Sequence, residues 1–231
     1  MSRKSDVFES LEYSGHVLNE LSEKIFSGAF DNTPVKHLST MAGSILAGTR
    51  EVFDFCAKDI VETYIAPNDT SIAEKVTKNI LKCYYPLYKN QLTGATLFGR
   101  LKNINRPLHE RLFSIAAAIE NKRARLGVFL NYGNLKDLAD MVNQNKHDKL
   151  LKVHSDDKTI FSAHPGLKVM LPIAEQRGMS LSTICLSPNA IHVIGDNYVF
   201  EYNGRDVTTF CAECGALARL LMEELYSKYL S

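Results

Sequence analysis

Apolar residues recur at three- and four-residue steps along the first two thirds of the chain. Phe8, Leu11, Leu18, Leu21 and Ile25 make one stripe, the mark of a helix that ends near Gly28. Asp31-Asn32-Thr33-Pro34 then places a capping residue ahead of a proline suited to a first helical turn. A second stripe follows: Val35, Leu38, Met41, Ile45, Val52, Phe53, Cys56, Ile60 and Tyr64, with the next stop at Pro67. Unbroken, this helix runs about 30 residues, roughly 45 Å. Gly43 and Gly48 offer a close helix contact or a bend. Asn68-Asp69-Thr70 reads as a cap or turn, and Ile72, Val76, Ile80, Leu81 and Tyr84 predict a third helix from about Ser71 to the break at Tyr85-Pro86, with all five facing inward. Gly94, Gly99 and Pro107 punctuate a less regular connection. Helices near 108–130 and over 134–151, the latter capped by Asn134, complete a helical bundle in outline.

Beyond Lys152 the period changes. Residues 181–186 (Leu-Ser-Thr-Ile-Cys-Leu), 190–194 and 198–202 (Tyr-Val-Phe-Glu-Tyr) are short, β-branched or aromatic, and separated by Pro188-Asn189, Gly195-Asp196-Asn197 and Asn203-Gly204. They predict a small antiparallel meander. A closing helix from about Thr208 to Leu230 aligns Leu217, Leu221 and Leu225, leaves Arg219, Glu223 and Lys228 for water, and is expected to cover one face of the sheet. The fold class is therefore α+β: an N-terminal helical bundle followed by a small antiparallel sheet covered by a C-terminal helix. The change of period divides the chain into a helical domain, 1–152, and a small α+β domain, 153–231, joined through the polar run His154-Ser-Asp-Asp-Lys158.

Composition agrees with a folded globular chain: of 231 residues, 45% are apolar and 23% charged. No run of about 18 apolar residues occurs, and the N-terminus lacks a signal-type apolar stretch, so the expectation is a cytoplasmic protein without membrane partners. Five cysteines at irregular spacings do not make a disulfide framework and suit a reducing compartment. The net charge of +1 conceals one uneven stretch. Arg100, Lys102, Arg106, Arg111, Lys122, Arg123 and Arg125 face only Glu110 and Glu120 between residues 100 and 125, a surplus able to meet an anion such as nucleic acid. The alternative is a solvated face, or pairing with acids such as Glu51, Asp54, Asp59 and Glu62.

The densest chemistry lies at the end of the 134–151 helix. Asn143 and His147 are four residues apart, hence on one face, with Lys146 beside them. A histidine titrates near neutral pH and can take a proton from a hydroxyl, while a lysine and an amide hold a phosphate oxygen. The trio suits 2′-hydroxyl attack in RNA cleavage, with His147 as base and Arg123 and Arg125 as substrate-binding groups. The competing reading makes Asn143 and His147 buried polar ties and leaves Lys146 in solvent. Cys211-Ala-Glu-Cys214 is half of a zinc site or, at a helix start that lowers thiol pKa, a redox pair; Cys56, Cys83 and Cys185 supply no second pair, and Phe210 and Gly215 favour small core residues. His147, His154 and His164 with Asp148, Asp156 and Asp157 do not have a spacing that converges on a cation, and His109 reads as a helix-start residue. With neither a Gly-rich phosphate loop nor a Gly-x-Ser-x-Gly elbow, no cofactor or metal is called for.

The stretch from Leu135 to Leu150 resembles the Leu-x-x-Leu-x-Asn-x-x-Lys-His-x-x-Leu helix of a broad set of bacterial proteins, in which an apolar segment ending in an aromatic-Pro step comes earlier, as Ile80-Leu-Lys-Cys-Tyr-Tyr-Pro86 does here. That set is similar in plan to the higher eukaryotes and prokaryotes nucleotide-binding (HEPN) superfamily, and the likeness covers about residues 70–152. It implies a metal-independent ribonuclease of phage defence or a toxin–antitoxin pair, with His147 as base. The superfamily pattern has an arginine ahead of its histidine with four to six residues between them. Here that window holds Asp140, Met141 and Val142, so Arg123 or Arg125 would have to take the role, or the protein is inactive. The rival expectation is a non-catalytic interaction, sensor or assembly subunit with a protein partner or a second copy of itself.

Overall fold

The computed structural model describes residues 3–26, 35–121, 124–126, 130–147, 151–156 and 197–230, with the backbone alone described at 26, 35, 36, 145–147, 154–156 and 197. Seven α-helices occur among them: α1 (Lys4–Phe26), α2 (Val35–Ile60), α3 (Thr70–Thr77), α4 (Leu101–Ile104), α5 (Arg106–Glu120), α6 (Asn134–His147) and α7 (Val207–Lys228). Two short antiparallel ribbons accompany them. In one, β1 (Arg125–Leu126) pairs with β2 (Leu130–Asn131); in the other, β3 (Val153–Asp156) pairs with β4 (Asn197–Phe200), Val153 opposite Phe200 and Asp156 opposite Asn197. The architecture is α+β with a helical N-terminal part. No helix among the described residues is long and apolar enough to cross a membrane.

The core is built on α1, α2 and α7. On α2 the predicted stripe is realised, with Leu38, Ile45, Val52, Phe53, Cys56 and Ile60 buried. Its end loosens into a π turn at Val61–Ile65 and tightens into a 3-10 turn at Ala66–Asn68 that contains Pro67. At Gly48 α2 lies close against α1: a Cβ there would stand 2.7 Å from Ser14 Oγ, a buried hydroxyl without a hydrogen-bond partner. The expected row Leu217, Leu221 and Leu225 of α7 is fully buried. The first turn of α7 covers β4, with Phe200 and Phe210 edge to face at 5.8 Å, and the helix then runs on against α1 and α2. Most of its apolar row therefore seals the helical layer, and one continuous core spans both sides of residue 152. The expected strands 181–186 and 190–194 lie outside the described residues.

Three elements depart from the periodicity. The third helix stops at Thr77, because Asn79 takes φ 51° and closes a C-terminal motif in which Ile80 N–H donates to Lys75 O (3.0 Å) and Asn79 N–H to Val76 O (2.9 Å). Residues 80–88 then run without regular structure: Cys83, Tyr85 and Leu87 are buried while Ile80 and Tyr84 stand outside, so two of the five residues expected inward face water. The helix expected over 108–130 ends at Glu120 and gives way to the β1–β2 ribbon. The polar run after Lys152 is in part a strand, since Val153–Asp156 is the partner of β4.

Candidate functional site

A half-buried polar hub seats α6, the helix that carries the predicted cluster. Asn134, only 3% exposed, donates from Nδ2 to Glu213 Oε2 (2.7 Å) and accepts at Oδ1 from Arg205 Nη1 (2.7 Å); Arg205 Nη2 closes the triangle on Glu213 at 2.8 Å. The guanidinium also lies over the Phe210 ring, 5.1 Å from its centre. Asn134 thus ties α6 to α7 instead of capping its own helix. Its neighbour Gly133 makes the turn, donating its N–H to Asn131 Oδ1 at 2.8 Å. Arg205 reaches the hub because Asn203-Gly204, with Gly204 at φ 66°, reverses the chain after β4, as the Asn-Gly pair predicts. Leu135, Leu138, Met141 and Val142 turn inward.

On the opposite side, the helix is continuous to His147. At 100° per residue, position 147 falls within the arc occupied by the exposed residues Lys136, Asn143 and Gln144, and position 146 falls outside it, between the lines of Ala139 and Val142. Asn143 is exposed, so it is not a buried tie. The side chains of Lys146 and His147 lie outside the described residues. Asp140 lies within this arc and receives the Tyr202 hydroxyl at 3.1 Å, and burial together with that bond pushes the Tyr202 phenol up to about 12. Asp137, one turn before Met141, has its carboxyl held above the ordinary range by burial and by Asp140, against the pull of an Asn203 hydrogen bond.

The two candidate arginines fare differently. Arg123 lies outside the described residues. Arg125 is exposed in β1, in the ribbon that leads into the N-terminal end of α6, whereas Asn143 and His147 stand about 14 and 20 Å of helical rise further along. The structure sets Arg125 toward the other end of the helix from the histidine. Three arginines of the basic stretch are paired. Arg100 pairs with Asp69, Arg106 with Glu110 at 2.7 Å, and Arg111 with Glu224 at 2.5 Å. Three of the four acids expected to do this are engaged elsewhere: Asp54 with Arg50, and Asp59 and Glu62 with Arg3. Asp69 also caps α3, accepting from Ile72 N at 3.1 Å, which is why Asn68-Asp69-Thr70 is a helix start.

Cys211 and Cys214 face the core, 1% and 0% exposed, and burial pushes both thiols above the ordinary range, so the helix start does not activate them. No three His, Cys, Asp or Glu side chains among the described residues converge as metal ligands. His109 is likewise packed: its Nε2–H donates to Leu92 O at 2.8 Å and its ring stacks on Phe113. The hub of Asn134, Arg205 and Glu213 went unread in the sequence because its members lie 71 and 79 positions apart; only the turn at Asn203-Gly204 hinted that Arg205 would fold back. No family model matches this chain, and no curated protein or solved structure does either.

Proposed function

We propose that this chain is an RNA-directed protein whose working surface is the outer arc of α6, with His147 as the base toward a 2′-hydroxyl and Asn143 and Lys146 as phosphate-holding groups. The observation that carries this reading is the continuity of α6 through His147 with Asn143 exposed on the same face. Exposure of Asn143 suits contact with a polyanion, and a base there needs no metal. Arg123 and Arg125 serve as binding groups on the approach to the helix, where they add affinity without touching the reacting phosphate. The setting that fits such an activity is bacterial defence or a toxin–antitoxin pair, in the cytoplasm.

One observation favours a second reading. Arg100 and Arg111 are already paired with Asp69 and Glu224, which weakens the basic surface a polyanion needs and suits a non-catalytic module that docks a protein or a second copy of itself. Fluorescence anisotropy of a labelled single-stranded RNA over a series of salt concentrations separates the two. RNA-directed function requires binding whose logarithmic salt slope falls by about one when Arg125 is replaced by Ala. Absence of salt-dependent binding leaves the docking module.

A further inference from the structure

We propose that the cleft between the turns of residues 92–99 and helices α4 and α5 is a binding site for a small organic monoanion with a flat apolar body, an aryl carboxylate being the simplest example. The site is separate from the α6 arc and does not depend on the RNA reading. Its cavity volume is about 600 Å³, within the range of small-molecule pockets. Leu92, His109 and Phe113 give it an apolar lining, and Lys102, Asn103 and Arg106 add polar and cationic groups. A ligand with an apolar body and one charged end matches that mixture.

Three features make the cleft a formed site. Its loop wall is tied down: Thr96 Oγ1 donates to Gln91 O at 2.8 Å and accepts from Gly99 N at 3.1 Å. A Cβ at Gly99 would lie 2.6 Å from Gly94 O, so the glycine is what lets the two turns close on each other. The histidine is fixed too, because a carbonyl acceptor at 2.8 Å requires the proton on Nε2 and orients the ring. Finally, the cationic side is not consumed. Lys102 and Asn103 are exposed and make no hydrogen bond or ion pair among the described residues, and Arg106 spends only its Nε on Glu110.

Charge sets the valence of the ligand. Lys102 and Arg106 contribute two positive charges and Glu110 one negative, so the rim carries a surplus of one. A carboxylate balances it. A phosphate monoester dianion overshoots and meets Glu110.

The test is ligand-observed NMR and calorimetry on the full chain with benzoate, its neutral counterpart benzamide, acetate and phenyl phosphate. Benzoate is expected to bind with a dissociation constant in the millimolar range, as suits so few heavy atoms. Benzamide and acetate should each be at least tenfold weaker, since each lacks one half of the match, and phenyl phosphate should be no tighter than benzoate. Lys102→Met keeps the stem, removes the charge on an exposed residue, and should weaken benzoate tenfold; Phe113→Leu should weaken it without changing the preference over benzamide. Asn143→Ala should leave benzoate binding unchanged. Benzoate and benzamide binding alike, retention of full affinity by Lys102→Met, or no benzoate binding at all would each overturn the proposal, whatever the outcome for RNA.

Discussion

Replacing Asp59 by Asn should be among the most damaging isosteric changes in the molecule. Asp59, 3% exposed on the last turn of α2, is where three parts of the chain meet. One oxygen accepts from Arg3 Nη1 at 2.7 Å; the other accepts from the Arg3 backbone N–H and from the Tyr226 hydroxyl, each at 2.8 Å. An amide keeps one acceptor and turns the other into a donor. Tyr226 can reverse its role to accept, but neither donor of Arg3 can. Removing one partner of a buried ion pair costs about 3–5 kcal/mol when the other charge is stranded. Arg3 is not stranded: it retains Glu62 at 2.7 and 2.9 Å and is 27% exposed. The loss is then nearer that of charge-assisted hydrogen bonds, about 2–3 kcal/mol. Tyr226→Phe deletes only the hydroxyl and should cost about 1 kcal/mol. Urea unfolding at neutral pH measures both, with the denaturant slope unchanged. A loss below about 0.5 kcal/mol for Asp59→Asn, or a larger loss for Tyr226→Phe, would refute the argument that the carboxylate is the anchor. The Arg3 hydrogen bond also holds the Glu62 carboxyl below its ordinary range. Its share of stability is present above the unfolded carboxylate pKa and is lost as pH falls through the depressed folded value.

Gly48→Ala should destabilise by about 1 kcal/mol, the crowding against Ser14 Oγ outweighing a propensity gain of similar size; in a Ser14→Ala background the same change should instead stabilise by about 1 kcal/mol, both read by thermal unfolding. Asp137→Asn should raise the urea midpoint at neutral pH. Its folded pKa lies above the unfolded value, so the carboxylate erodes stability as pH rises from the one toward the other, and the benefit should vanish below about pH 3. Residues 1–152 expressed alone should fail to fold, because the ten buried residues of α7, at about 1.5–3 kcal/mol for each large apolar side chain, exceed a typical domain's entire net stability. Circular dichroism of that fragment, with and without the α7 peptide, checks this.

Much of the helical part was legible because long amphipathic helices repeat one signal many times. The stripe of α2 and the row Leu217, Leu221, Leu225 of α7 bury as their spacing requires. Where a single residue decides, periodicity misleads. Ile80 and Tyr84 continue the helical phase of Ile72 and Val76, yet Asn79 in a left-handed conformation ends the helix and leaves both in water. Cys83 and Tyr85 are inside with Lys82 and Tyr84 outside, an alternation that ends at the buried run Tyr85-Pro86-Leu87. Partners distant in sequence carry no local signal: the seating of α6 by Arg205 and Glu213 and the quenching of Arg111 by Glu224 are set by the packing of α7. The one-turn spacing of Asn143 and His147 was legible, whereas burial or exposure of that face was left open by the sequence and is answered at Asn143, which is exposed. The distance of Arg125 from it was not legible, since it depends on the ribbon that replaced the expected helix.

The most direct measurement is cleavage of a single-stranded RNA by the purified chain and by His147→Ala, with chelator present and the thermal midpoint of both recorded. If His147 is the base, the parent converts the RNA into fragments ending in a 2′,3′-cyclic phosphate and a free 5′-hydroxyl, and the variant loses at least a hundredfold in rate, the scale of a lost general base, with its midpoint unchanged. A parent that leaves the RNA intact, together with a variant whose midpoint falls as an unpaired buried partner requires, would contradict the assignment and make His147 part of the fold.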